Sequence, residues 1–207
     1  MNNNLIITIG REYGTGGREI GQKLALRLGI PFYDRELITR AAKKTGFDEK
    51  LFEQLDKRAT NSFLYSLTMF GSVGLNGMSL TDQLYLAQSN VIREMAEESS
   101  CVIVGRCADY VLKDRPNTIS VFLKAEMQSK VERAVKYYGV DPQKAEDRIR
   151  KADKQRASYY NYYATATWGD VNNYDLCVDT GKLGVEGTVE LIARFVELRQ
   201  AMLEAKK

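Results

Sequence analysis

Apolar runs that alternate with helical patterns from one end of the chain to the other predict an α/β fold. The expected core is a five-stranded parallel sheet with helices on both faces. Three observations carry that expectation. The runs Leu5–Ile9, Cys101–Val104, Thr118–Leu123 and Asp175–Val178 are short, apolar and rich in β-branched residues, as strands covered on both faces are. Each is followed by a segment of helical period. A glycine-rich turn joins the first run directly to the first helix.

The stretch LIITIGREYGTGGREIGQKLALRL, residues 5–28, reads as buried strand, glycine loop and amphipathic helix in succession. Gly10 is expected to end the strand. Gly14, Thr15, Gly16 and Gly17 then form a loop whose glycines allow consecutive backbone N–H groups to converge on an anion. Ile20, Leu24 and Leu28 follow at helical spacing, with Gly21 and Ala25 letting that face lie close to a sheet. The loop therefore opens onto the positive end of a helix dipole, which favours an anion. The strict phosphate-cradling pattern G-x-x-x-x-G-K-[ST] is not met. With Gly16 as the second glycine, the lysine position is Gly17, the hydroxyl position is Arg18 and the first glycine is Arg11. Arg11 and Arg18 bracket the glycines instead, and guanidinium forks suit phosphate oxygens.

After the first helix, Gly29 is placed to cap it and Pro31 to stop it. A very short strand, Phe32 and Tyr33, then delivers Asp34 to the carboxyl edge of the sheet, where ligands bind in such folds. Asp34 reads equally well as the N-cap of a helix over 34–44 and as a ligand contact. Arg40 lies on the flank of that helix. Between Thr45 and Leu86 the pattern weakens to a helix near 48–58 and an aromatic, glycine-broken stretch, read as an inserted helical segment spanning 35–90 with a loop at Gly71–Gly77. Its apolar part, 63–80, is a candidate homodimer face. A helix over Asp82–Ser99, with Leu86, Val91, Ile92 and Met95 as its apolar stripe, returns to the sheet.

The second long strand, Cys101–Val104, is followed at once by Gly105 and Arg106. A helix over Ala125–Tyr138 is expected to turn Val131, Ala134, Val135 and Tyr138 inward. The segment 141–168 carries Lys144, Arg148, Arg150, Lys151, Lys154 and Arg156 against Glu146, Asp147 and Asp153, and ends in SYYNYYATATW. Such a charge-laced helix is suited to a mobile lid closing over anionic groups. The last strand delivers Asp179 and Thr180 to the edge, and a helix over Glu186–Leu203 closes the chain. Arg11, Arg18, Arg40, Arg106, Arg150 and Arg156 would then face one edge, the convergence that phosphoryl transfer requires.

Composition narrows the chemistry. The 207 residues suit one domain, and a formal net charge of +3 is too mild for nucleic acid or an anionic membrane as main partner. The three cysteines have no C-x-x-C spacing, which suits reduced thiols in a cytoplasmic protein. No apolar run approaches membrane-spanning length, and the N-terminus has no leader pattern. The chain has no histidine, so imidazole acid–base chemistry is excluded.

Over nearly its whole length the sequence resembles the cytidylate kinase-like members of the P-loop nucleoside monophosphate kinases. YDRELITR is similar to the family's D-T-G-x-x-Y-R stretch at Asp34 and Arg40. VIVGRCAD is similar to D-G-R-D, which places Arg106 where an arginine holds the acceptor phosphate. Asp153 and Arg156 match the second half of R-D-x-x-D-x-x-R, and VDTGKLG matches D-T-[ST]-x-L-[ST] at Asp179, Thr180 and Leu183. The departures are Gly17 and Arg18 for the loop lysine and hydroxyl, Val104 for the acid before G-R, and Ile149 for the first lid arginine. They leave the metal ligands unassigned. The resemblance implies a single P-loop kinase domain over 1–207 with 35–90 as the acceptor-binding insertion and 141–168 as the lid. ATP and Mg2+ would be used, with nucleotides as substrates and a CMP- or dCMP-like acceptor. Arg11, Gly14, Thr15, Gly16, Gly17, Arg18 and Glu19 would bind donor phosphate; Arg18, Arg150 and Arg156 would act in catalysis; Asp34, Arg40, Arg106, Asp153 and Asp179 would seat the acceptor. The alternatives are a kinase of another small metabolite and a nucleotide-binding regulator that has lost turnover with the loop lysine.

Overall fold

The computed structural model describes residues 4–34, Arg40 and residues 79–205. Within them, five strands pair in parallel in the order β2-β3-β1-β4-β5. They are β1 (Ile6–Arg11), β2 (Phe32–Tyr33), β3 (Cys101–Val104), β4 (Thr118–Lys124) and β5 (Leu176–Asp179). The helices are α1 (Gly17–Leu28), α2 (Leu80–Glu98), the single turn α3 (Ala108–Val111), α4 (Met127–Tyr138), α5 (Ala145–Tyr163) and α6 (Thr180–Glu204). The expected α/β sheet is present. The expected helix near 48–58, the loop at 71–77 and the apolar face at 63–80 lie outside the described residues.

Alternation along the strands sorts the core into two layers. Ile6, Cys101 and Ile103 face a layer closed by Leu84, Val91, Ile92 and Met95 of α2. Ile7, Ile9, Val102 and Val104 face the opposite layer, closed by Ile20 and Leu24 of α1 and Val189, Ile192 and Val196 of α6. Both faces are dry, which is why the strands read as continuous apolar runs rather than alternating ones.

Several boundaries move for identifiable reasons. β1 does not end at Gly10: Gly10 and Arg11 continue the ladder opposite Phe122 and Leu123. The strand therefore carries Arg11 on its last rung. α2 starts at Leu80 because the Ser79 hydroxyl accepts the Asp82 N–H, so the end of the expected 35–90 insertion is a core helix. Leu86 is exposed and Leu84 takes its place in the stripe. α4 buries Lys130 and Ala134, while Tyr138 is exposed with its ring edge-on to Tyr13. α6 begins at Thr180, capped by Asp179, and breaks at Gly184, whose φ of 64° and ψ of −175° leave the helical region.

Most of the segment 141–168, expected to be a lid, is one helix packed against its neighbours. Pro142–Lys144 forms a short 3-10 turn, after which α5 buries Ala145 and Ile149 and, near its end, Tyr159 and Tyr160. The last two join Cys107 and Ala164 in a third apolar cluster. Ile149 has no exposed surface. Ile149→Ala should therefore cost about 2–5 kcal/mol of stability through lost packing and a residual cavity, measured by denaturant unfolding; a change below about 0.5 kcal/mol, the size of a surface substitution, would show α5 to be loosely attached.

α1 lies against the sheet because Gly21 has no side chain: a Cβ there would come within 2.8 Å of Val104 Cγ2 and 2.9 Å of Phe32 Cε2. Gly21→Val should overpack this contact and lower stability by about 1–3 kcal/mol, read as a lower thermal midpoint.

Candidate active site

Parallel pairing brings the last residues of all five strands to one edge, and the loops that leave that edge build the site. The β1–α1 loop has the shape its glycines suggested. Gly14 and Gly16 sit at φ of 85° and 77°, and the Thr15 hydroxyl bonds to Glu12 O at 2.9 Å to close the turn. Gly17 has ordinary φ but no room, since a Cβ would meet Arg11 Cγ at 2.8 Å.

The loop after β3 is the second unusual piece of backbone. Gly105, Arg106 and Cys107 are three successive residues at positive φ, 80°, 59° and 54°. For the two side-chain-bearing residues this costs about 1–3 kcal/mol each. The turn carries Arg106 over the sheet edge and lays Gly105 against the Arg11 guanidinium, where any Cβ would collide.

Together these loops and α5 enclose a cleft of about 450 Å³, of the size that takes a small ligand. Its basic side chains are Arg11, Arg106, Arg148, Lys151 and Arg156, with Asp34 beside them. Its remaining wall is aromatic, from Tyr159, Tyr160, Trp168 and Tyr174, with Asp109 and Gln155 among the rings. Burial, followed by repulsion from Arg156, pulls Arg11 down to about 9, with Asp34 and Asp153 acting in the other direction. Burial also lowers Arg156. An anion between these guanidiniums would relieve the strain on both.

α5 is held to the glycine loop by polar contacts. The Tyr13 N–H donates to Asp153 Oδ1 at 2.6 Å, and Arg156 donates to Arg11 O at 3.0 Å with its guanidinium over the Tyr13 ring. Buried Lys130 of α4 reaches Glu12 at 3.0 Å and Asp153 at 3.3 Å. Burial raises the Asp153 pKa despite these partners.

On the other side of the loop lies a second cleft, of about 270 Å³, lined by Gly14, Thr15, Ser129, Arg133, Thr180 and Gly181 among others. Arg133 packs flat on Gly16, bonds to Glu19 and lies over the Tyr137 ring at 4.8 Å.

Of the residues expected from sequence, Arg11, Asp34, Arg106 and Arg156 line the larger cleft and Gly14 and Thr15 the smaller. Others are directed elsewhere. Arg18 is exposed and donates to Asp34 at 3.0 Å. Glu19 is engaged by Arg133 and Lys23, which hold its pKa down, with the Lys23 bond first. Arg40 lies over the Tyr33 ring and 3.7 Å from Glu98, outside the cleft lining. Asp179 caps α6 through the Gly181 N–H at 3.0 Å. Arg150 is exposed and pairs with Glu146 one turn back. Arg148 and Lys151 occupy the cleft-facing positions because the lining of α5 steps by three and four residues from Arg148 to Tyr160. Fixing buried Ile149 on the helical wheel would have separated Arg148 from Arg150. Asp109, Lys130 and Arg133 were not identified from sequence as site residues.

The profile of the cytidylate kinase-like family matches residues 6–182. A cytidylate kinase of Methanopyrus kandleri is 23% identical over 203 residues, 94% of each chain. The crystal structure of an uncharacterised protein of Eubacterium ventriosum is 33% identical and superposes with a TM-score of 0.69, covering 93% of this chain and 98% of that one. A shikimate kinase of Bacteroides thetaiotaomicron shares the fold at 17% identity, with a TM-score of 0.53 and coverage of 93% and 98%. No described helix is long and apolar enough to cross a membrane. With its P-loop kinase fold, its glycine loop between two clefts and a family match that runs from β1 into α6, the chain belongs to the cytidylate kinase-like family.

Proposed function

We propose that the protein is an ATP-dependent phosphotransferase whose acceptor is a nucleoside monophosphate of the CMP or dCMP kind. The observation that carries this reading is that the glycine loop separates two clefts. Gly10, Arg11 and Tyr13 face the larger, and Gly14 and Thr15 the smaller. A transferase of this type needs two nucleotides to meet at one phosphate-holding turn. The smaller cleft suits the donor, with its phosphates against the loop and the N-terminus of α1. The larger suits the acceptor, because five basic side chains can neutralise a monophosphate and the aromatic wall can hold a ring.

In this reading an acceptor phosphate oxygen attacks the γ-phosphorus of ATP. The bond from that phosphorus to the bridging oxygen breaks, and ADP leaves with the electron pair. The attacking oxygen is already anionic, so no general base is needed, in keeping with a chain that has no histidine. Arg156, tied to Arg11 O, and Arg11 on the last rung of β1 would stabilise the charge of the transferring group. Arg133 would supply the cation that the loop lacks at Gly17.

Asp34 and Glu19, which reach the start of α1, are engaged by Arg18 and by Arg133 and Lys23, and no group of three or more acidic or thiol side chains gathers among the described residues.

A second reading, a nucleotide-binding regulator, is favoured by one contact: Asp153 already occupies the Tyr13 N–H. The deciding measurement is consumption of CMP, dCMP and UMP in the presence of ATP and magnesium, beside calorimetric binding of each. ATP binding without consumption of any acceptor would select the regulator. Consumption of a non-nucleotide acceptor alone would select a different metabolite kinase.

If the acceptor lies in the larger cleft, Arg106→Ala should lower monophosphate affinity about tenfold or more, since a charge-assisted bond is worth about 1.5–3 kcal/mol. Arg150→Ala should stay within about twofold, as expected of an exposed helix pair. Equal losses in the two variants would remove the acceptor from this cleft. On the donor side, Arg133→Ala should weaken ATP by a similar factor, about tenfold, with monophosphate binding unchanged; the reverse pattern would exchange the two clefts.

A further inference from the structure

A third cavity, of about 350 Å³, lies away from the glycine loop, where β4 and β5 begin. Its floor is the sheet itself. Thr118 and Ser120 of β4 alternate with buried Ile119 and Val121, so they point to the face opposite α1 and α6. The walls are the chain between α3 and β4, the residues just before β5, and Arg199 from the end of α6. Its volume is that of a small-molecule site.

Most of the charge in this cavity is already matched. Asp175 takes the Ser120 N–H at 2.7 Å and the Ser120 hydroxyl at 3.0 Å. Asp109, which lines this cavity as well as the larger cleft, takes the Tyr160 hydroxyl at 2.7 Å and the N–H groups of its own turn. Arg115 is engaged by Glu97 and Ala96 O. Lys113 and Asp114 are both exposed and oppose each other at the mouth, with Lys113 Nζ 4.5 Å from the Tyr110 ring centroid. That leaves Arg199 inside. It is half-buried, donates to Thr118 O at 2.6 Å, and enters no ion pair among the described residues.

The residue that Arg199 holds has a shortage of its own. The Thr118 hydroxyl is buried without a hydrogen-bond partner, an arrangement that costs stability unless something fills it. A guanidinium keeps further N–H groups after one carbonyl has been served, and a hydroxyl keeps its O–H. Both groups therefore lack an acceptor, and an oxyanion offers acceptors to both at once.

We propose that this cavity is a second anion site, in which Arg199 and the Thr118 hydroxyl hold a small phosphate or carboxylate group. The assignment stands on these contacts and does not depend on the reading of the two clefts beside the glycine loop.

The test is calorimetric titration of the full chain with inorganic phosphate and, separately, with acetate, at constant ionic strength set with chloride. Wild type, Thr118→Val, Arg199→Gln and Arg106→Ala are compared, with Thr118→Val and Arg199→Gln repeated in the Arg106→Ala background. Anion binding at the larger cleft should vanish with Arg106→Ala, whereas binding in the third cavity should survive it. Thr118→Val and Arg199→Gln should each weaken that surviving binding about tenfold, as expected of a lost hydrogen bond to a charged group, and leave CMP binding unchanged. Without added anion, Thr118→Val should melt at or above the wild-type temperature, because a methyl group replaces an unsatisfied hydroxyl. Surviving binding of phosphate alone assigns a phosphate ligand, and of acetate alone a carboxylate. No anion binding in Arg106→Ala, or surviving binding that Thr118→Val leaves unchanged, would overturn the site. If Arg199→Gln does not fold, the isosteric Thr118→Val decides.

Discussion

The Asp153 carboxylate joins the three parts from which the site is made. It accepts the Tyr13 N–H from the glycine loop, meets buried Lys130 from α4, and belongs to α5, the helix that supplies the cleft's basic wall. Taking a carboxylate out of water is costly, and its raised pKa records that cost. The cost is offset because the same group satisfies a loop N–H and a lysine that would otherwise be buried with Glu12 alone. Loop, α4 and α5 are thereby set at fixed separations, and the width of the larger cleft follows.

Around that fastening the charge distribution is deliberately unbalanced. Arg11, Arg106 and Arg156 are placed by backbone: the last rung of a strand, a left-handed turn, and a helix bonded to Arg11 O. None of these placements requires attraction between the side chains, which repel one another. Rigid backbone is what permits such repulsion to persist until an anion arrives. Asp34 and Asp153 oppose the repulsion at Arg11 only in part, while Glu146 and Glu19 are engaged with Arg150 and Arg133. On the aromatic side the same economy leaves Asp109 to Tyr160.

Much of this was legible in the sequence, and what was not has physical causes. The strands, the glycine loop, the Gly29 cap and the close approach of Gly21 rest on local period and on residues with few conformational options, so a linear reading reaches them. Arg106 was placed at the sheet edge because it follows a strand directly. Arg150 was misplaced because charge density alone does not say which way a helix faces, whereas buried Ile149 does. Asp109 and Arg133 were missed because their partners, Tyr160 and Glu19, lie 51 and 114 residues away. Asp109 also sits on a single turn too short to show any period.

The turn at Gly105 links two strands in a way that contacts alone do not reveal. Its positive φ disfavours a side chain, and the space a side chain would need is filled by the Arg11 guanidinium from the neighbouring strand. Damage at position 105 will therefore be expressed at position 11. In a survey of variants the two sites would share a phenotype, with an alteration of the turn after β3 imitating the loss of an arginine on β1.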